Sequence, residues 1–220
     1  MLLIAGLVLV VASATTALLL VPGALRTPGA GVIPFALTGI ILCYGAAGVL
    51  FLRRAAPGDA LGATFGIVAA LLWSIEIFAG GPARLPYAAE QVVGATFVLA
   101  ATVCTLAAGP VSAIRHQTPA ATWRAGIYAG LVSGVFLFAF AVPMTLATLG
   151  ILGSRSDYKA QFGRSGAPSM HAFLVQDILT GAGAHLLINV FLALIGSALG
   201  AAVLLLARNA TEPRRTRSAR

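Results

Sequence analysis

Ionisable and amide side chains are expensive in hydrocarbon, and this chain sets three of them inside long apolar runs. Glu76 lies in LLWSIEIFAG, and His185 and Asn189 lie in AHLLINVFLALIG. Such residues in a span usually face a bundle interior or a wet cavity and mark a pathway or site. A carboxylate and an imidazole within reach of one another can bind or relay a proton, and histidine changes charge near neutral pH. Thr148, near the end of another apolar run, adds a hydroxyl. Glu76, His185, Asn189 and Thr148 are therefore the candidate ligand or proton-relay residues.

Other chemistry has little support. The sequence holds no His-Glu-x-x-His zinc helix, no Gly-x-x-x-x-Gly-Lys phosphate loop, no Gly-x-Ser-x-Gly elbow and no intramembrane pair of aspartates. Ser74, Ser133 and Ser197 have no evident base, and only His185 could serve an intramembrane hydrolase. An enzyme is the least supported class. Cys43 and Cys104 both stand in apolar runs, without a Cys-x-x-Cys or Cys/His neighbour. They are expected as free, buried thiols, and no metal or organic cofactor is implied.

The elements that position these residues follow from composition. Hydrophobic residues make up 59% and charged residues 9% of 220, with a mean hydropathy of +0.97. A soluble domain carries about 25% charged residues, so the bilayer is the expected solvent and partner. Six runs are long enough to cross it, namely 2–21, 32–52, 60–79, 91–113, 123–149 and 184–207. The expected fold is an all-α bundle of six transmembrane helices in one domain, 1–207, with a basic, disordered tail at 208–220. Ala12-Ser13-Ala14 has the form of a signal-peptidase site, but no basic segment precedes it and the apolar run continues through Leu20, so a retained first helix is expected.

The net charge of +8 does not imply nucleic acid, because the arginines sit at segment ends. With both termini inside, the inner loops and tail hold nine Lys/Arg residues and the outer loops five. That bias puts both termini in the cytoplasm. The richness in alanine, glycine and arginine suggests the inner membrane of a bacterium. The tail suits anionic headgroups, and His116, among Arg115, Gln117 and Arg124, reads as a headgroup contact.

The one long connection, 150–183, is expected to carry two short helices. Ser156 would cap one over 157–162, ended by Gly163, and Ser169 would cap another over 170–179. A bend at Gly181-Ala182-Gly183 would then lay the second helix across the outer mouth, with His171 and Asp177 as lid candidates. Gly62-Ala63-Thr64-Phe65 recurs as Gly94-Ala95-Thr96-Phe97, and Gly126 stands at the same interval, a weak hint of repeats.

Small residues let helix backbones approach in lipid, where apolar surface alone gives no drive to associate. Three tracks stand out: Gly62 and Gly66; Gly126, Gly130 and Gly134; and Gly196 and Gly200. At about 100° per residue, His185 at 0° shares a face with Asn189 (about 40°), Ala193 (about 80°), Gly196 (about 20°) and Gly200 (about 60°). The third run continues its glycine face through Ala69 and Trp73 to Glu76. The fifth continues through Ala141 and Met144 to Thr148, past Pro143, which should kink it. Helices sealed at one end and polar at the other should splay into an outward-facing cavity lined by the four candidates. A transport, ligand-binding or sensing protein is the expectation, and a scaffold using its glycine faces on partner helices or on a second copy is the alternative.

Overall fold

The computed structural model describes residues 1–53 and 56–217; Arg54 and Arg220, counted above in the charge bias, lie outside them, as do side chains from residue 210 on. Every described regular element is helical: α1 (Leu2–Leu20), α2 (Ile33–Arg53), α3 (Pro57–Gly80), α4 (Tyr87–His116), α5 (Pro119–Ser154), α6 (Ser156–Ser165) and α7 (Met170–Arg217). Short 3-10 turns at Pro22–Arg26 and Ala30–Val32 join α1 to α2. Six of the helices are long and apolar enough to cross a membrane, which is compatible with a multi-pass membrane protein. Their outward faces carry exposed Phe35, Leu42, Leu99, Phe191 and Leu206. At one end Met1 shares a concavity with Phe51, Asp59 and Tyr128, and α7 runs toward this end, where Gly200 meets Thr122. We call this the terminal end and the other the distal end.

Helix α5 is the axis, buried along most of its length from Ala121 to Thr145. It runs against α3 on one side and α7 on the other, and α4 closes the group by touching all three. Helix α1 packs on α5, where Gly6 meets Val135. Helix α2 stands further out, held by the Tyr44 hydroxyl, which donates to the Leu186 carbonyl at 2.6 Å.

The connection between α5 and α7 differs from the expectation. Ser156 does not cap α6; Arg155 takes the cap position, the helix passes through Gly163, and left-handed Gly166 (φ 68°) ends it. Ser169 does cap the next helix, its hydroxyl accepting from the Ala172 amide at 3.1 Å. That helix, however, does not end at the glycines. Helix α7 runs unbroken from Met170 through Gly181 and Gly183, because neighbours support it on several sides. Leu37 of α2 approaches the Gly183 position at 3.2 Å, Gly153 of α5 faces Met170, and Pro168 and Ala172 cover Gly23. Packing thus overrides the weak helix propensity of glycine. The 36 residues of α5, about 54 Å at 1.5 Å each, extend alongside the start of α7, where Gly153 meets Met170, so the first turns of α7 stand beside α5. Helix α7 is described to Arg217, within the segment expected to form a loose tail.

Two smaller expectations also change. Cys43 is exposed on α2 rather than buried, whereas Cys104 is half-buried, and both are free. The echo between 62–65 and 94–97 has no structural counterpart: Gly62 and Gly126 are packed against other helices, but Gly94 has nothing near it.

Candidate functional site

Backbone contact at small residues sets the register of the bundle, and the register sets the site. A methyl at Gly62 would lie 2.6 Å from the Ala125 carbonyl oxygen, and one at Gly66 would lie 2.7 Å from that of Ala129. Gly58 meets Ala121 one turn earlier, so α3 and α5 run parallel, glycine against alanine. The glycines of α5 face α7 instead: Gly126 meets Ser197, Gly130 meets Asn189 and Ala193, and Gly134 meets Leu186 and Tyr44. Gly196 and Gly200 of α7 turn to α4, where they meet Leu106 and Gly109. The glycine faces therefore do not meet one another in a single seal. Each rests on the next helix in a relay of α3, α5, α7 and α4.

This register brings Glu76, His185 and Asn189 into one part of the interior. The Trp73 ring stands edge-on to the His185 imidazole, with centroids 5.0 Å apart and planes at 78°. Glu76, one turn beyond Trp73 on the same face, is half-buried and lies within electrostatic reach of His185. Among the described residues its carboxylate has neither a hydrogen bond nor an ion pair. His185 Nδ1 lies 2.9 Å from the Gly181 carbonyl, which fixes the ring and makes Nδ1 the donor. Asn189 is fully buried; its amide nitrogen donates to the His185 carbonyl at 2.9 Å, while its Oδ1 has no partner among the described residues. Trp73 Nε1 and Ser133 Oγ, also buried, share that condition. Where splayed helices were expected to leave a gap, Trp73 fills the space, packed against Ala101 and Leu137.

Thr148 is not part of this group. Thr148 lies further along α5 toward the distal end, four residues before Leu152, which meets Gly81 at the end of α3. Its hydroxyl donates to its own helix, to the Met144 carbonyl at 2.7 Å. His171 is exposed. Asp177 borders a small cavity of about 40 Å³ with Ile77, Thr145 and Tyr158. Both lie on the first turns of α7, upright beside α5 rather than across it.

Two ion clusters escaped the sequence reading. At the distal end Arg155 donates to the Gly80 and Gly81 carbonyls (2.8 and 3.0 Å), to both Glu90 oxygens (3.3 Å) and to both Asp157 oxygens (3.0 Å). It ties the end of α3 to the starts of α4 and α6. The bond from Arg155 holds the Asp157 carboxyl below its usual range, and burial pushes the Tyr158 hydroxyl up. Beside this clamp is an open concavity of about 610 Å³ lined by Arg84, Tyr87, Glu90 and Asp157, among others. At the terminal end Arg124 makes a bidentate pair with Asp59 (2.8 and 2.7 Å) and lies over the Phe51 ring. Each of these arginines stands at or beside the start of a helix, next to a proline or glycine turn. Only that placement hinted at a clamp, and it reads equally as a charge marking the side of the membrane.

Among the described residues no group of three or more His, Cys, Asp or Glu side chains is arranged to hold a metal ion. No protein-family model, no curated protein and no solved structure matches the chain.

Proposed function

We propose that this chain is a small transport or ligand-sensing protein of a membrane, with Glu76 and His185 as its working pair. One observation carries the proposal. Glu76 stands half-buried among apolar helices, in electrostatic reach of an imidazole, and among the described residues no arginine, lysine or hydroxyl ties it down. A carboxylate kept only to glue helices would be expected to hold a direct bond to its neighbour. One left unbonded within electrostatic reach of an imidazole is suited to receive a proton or a small polar ligand, and its charge can respond to either. The nine-to-five bias in basic residues supports placing the terminal end in the cytoplasm. Glu76 would then open toward the opposite side, and an alanine- and arginine-rich composition suits a bacterial inner membrane.

The scaffold alternative loses most of its surface. The glycines expected to meet partner helices are taken up within the chain, and the α-helical glycines with open space before them are Gly39, Gly45, Gly94, Gly150, Gly163 and Gly181. Thiol labelling separates the two readings. In a background with Cys43→Ser and Cys104→Ser, a cysteine at position 76 should react with a membrane-impermeant reagent from the distal side, and one at fully buried position 189 should not. Protection of position 76 from both sides, with a partner lost on bulky substitution of Gly45 or Gly94, would favour the scaffold.

A further inference from the structure

We propose that the cleft between α1 and α2 holds one phospholipid of the leaflet at the terminal end, with its zwitterionic head on Asp59 and Arg124 and an acyl chain along α1. The site shares no residue with the Glu76–His185 pair and stands or falls separately from it. Helices α1 and α2 run in opposite directions and touch near the terminal end, where a methyl at Gly48 would lie 3.4 Å from Leu3 and 3.7 Å from Ile4. One turn further in, a methyl at Gly45 would have nothing within 4 Å. There the helices part. An open groove of about 590 Å³ runs between them, lined by Ile4, Leu7, Val8, Val11, Gly45 and Val49 among others, with no polar side chain in its walls. The α1 members recur every three or four residues and so form one face of that helix. A helix pair closed on itself would bury this face, yet Val8 is 63% exposed.

At its terminal end the groove meets charge. Ile4 also borders the concavity of about 180 Å³ that Phe51, Asp59 and Tyr128 line, so a polar cup and an apolar groove adjoin. From Ile4 to Ala12 the groove follows α1 for about 12 Å, close to half of the roughly 30 Å of hydrocarbon in a bilayer. A cup of charge above one leaflet's depth of apolar wall is the outline of a phospholipid. The cup also selects a head. The Asp59 and Arg124 side chains are 19% and 21% exposed, so each remains reachable beside its partner. Asp59 takes the Nε and Nη2 of Arg124; among the described residues Nη1 makes no hydrogen bond and can meet a phosphate, while the carboxylate keeps lone pairs for an ammonium. A pair of both signs suits a head that carries both, whereas a purely anionic head would set its charge against Asp59. A helix of a second copy would account for the groove but not for the charged cup that adjoins it.

Native mass spectrometry of the full-length protein in detergent tests this. After thorough washing the wild type should keep one phospholipid per chain. Offered phosphatidylethanolamine and phosphatidylglycerol with identical chains at equal concentration, it should prefer the ethanolamine lipid about tenfold, the usual gain from one hydrogen bond to a charged group. Gly45→Leu puts a side chain into the open groove without displacing a neighbour, and should weaken retention of either lipid about tenfold in a protein that elutes as the wild type does. Asp59→Asn should keep a lipid and lose the preference for ethanolamine. Equal binding of the two lipids by the wild type would mean an ordinary surrounding lipid only and would overturn the proposal. So would a Gly45→Leu protein that retains lipid as the wild type does. A wild type free of lipid would overturn it as well, and a dimer that Gly45→Leu dissociates would then assign the groove to a second copy.

Discussion

Arg155 and Glu76 are two charges of one molecule treated in opposite ways. All three nitrogens of the Arg155 guanidinium are used, by two carbonyls and two carboxylates. Glu76, between the helices, is bonded to nothing among the described residues and lies within electrostatic reach of His185. A saturated charge is fixed in place and changes little when its surroundings change. An unsaturated one in an apolar setting is poised to respond. The contrast separates architecture from activity more sharply than burial does, since both side chains are only partly exposed.

Four substitutions or conditions press on that contrast, in falling order of effect. Gly130→Leu drives a side chain into the backbone of Asn189 and should destabilise the bundle beyond the ~1–3 kcal/mol usual for overpacking. The expected result is an aggregated or poorly expressed protein on size-exclusion chromatography. Arg155→Ala leaves Glu90 and Asp157 without their partner. Because its side chain is 17% exposed, thermal unfolding in detergent should show a loss of about 2–4 kcal/mol, somewhat below that of a fully buried pair. Glu76→Gln breaks no bond and should change stability by less than about 1 kcal/mol while removing any proton-linked activity. A Glu76 variant as unstable as the Arg155 one would erase the distinction.

The smallest effect is that of acid on the clamp. Asp157 is held below its ordinary value by Arg155, so its contribution is complete above the unfolded aspartate value of about 3.9 and fades as pH falls through the lower folded value. Unfolding temperatures of wild type and Asp157→Asn should therefore differ at neutral pH and converge in strong acid. A difference that grows toward low pH would contradict the sign.

Much of the bundle could be read in advance because lipid imposes simple demands. A run of about 20 apolar residues is a span, and glycines spaced four apart are a contact face. The Glu76, His185 and Asn189 faces followed from helical phase. What phase could not supply was the partner of each face. Three glycine tracks were taken to meet one another, whereas each meets a neighbour's alanines, serine or backbone, and Gly58 and Gly109 complete the relay. Thr148 shows the same limit, since phase gives direction around an axis but not depth relative to another helix. The bend at Gly181–Gly183 was a local inference that neighbours α2 and α5 override. The Arg155 clamp joins residues up to 75 apart in sequence, a pairing that no local pattern encodes.

The central claim is that Glu76 and His185 act on one another beside Trp73, and Trp73 itself can report it. An imidazole edge-on to an indole at 5.0 Å should quench its emission, so in a Trp123→Phe background Trp73 fluorescence should report the state of His185. The account predicts that His185→Ala raises that emission and that Glu76→Gln changes it while His185 is present but not in the His185→Ala background. A Glu76→Gln effect that is absent, or that is the same with and without His185, would contradict it.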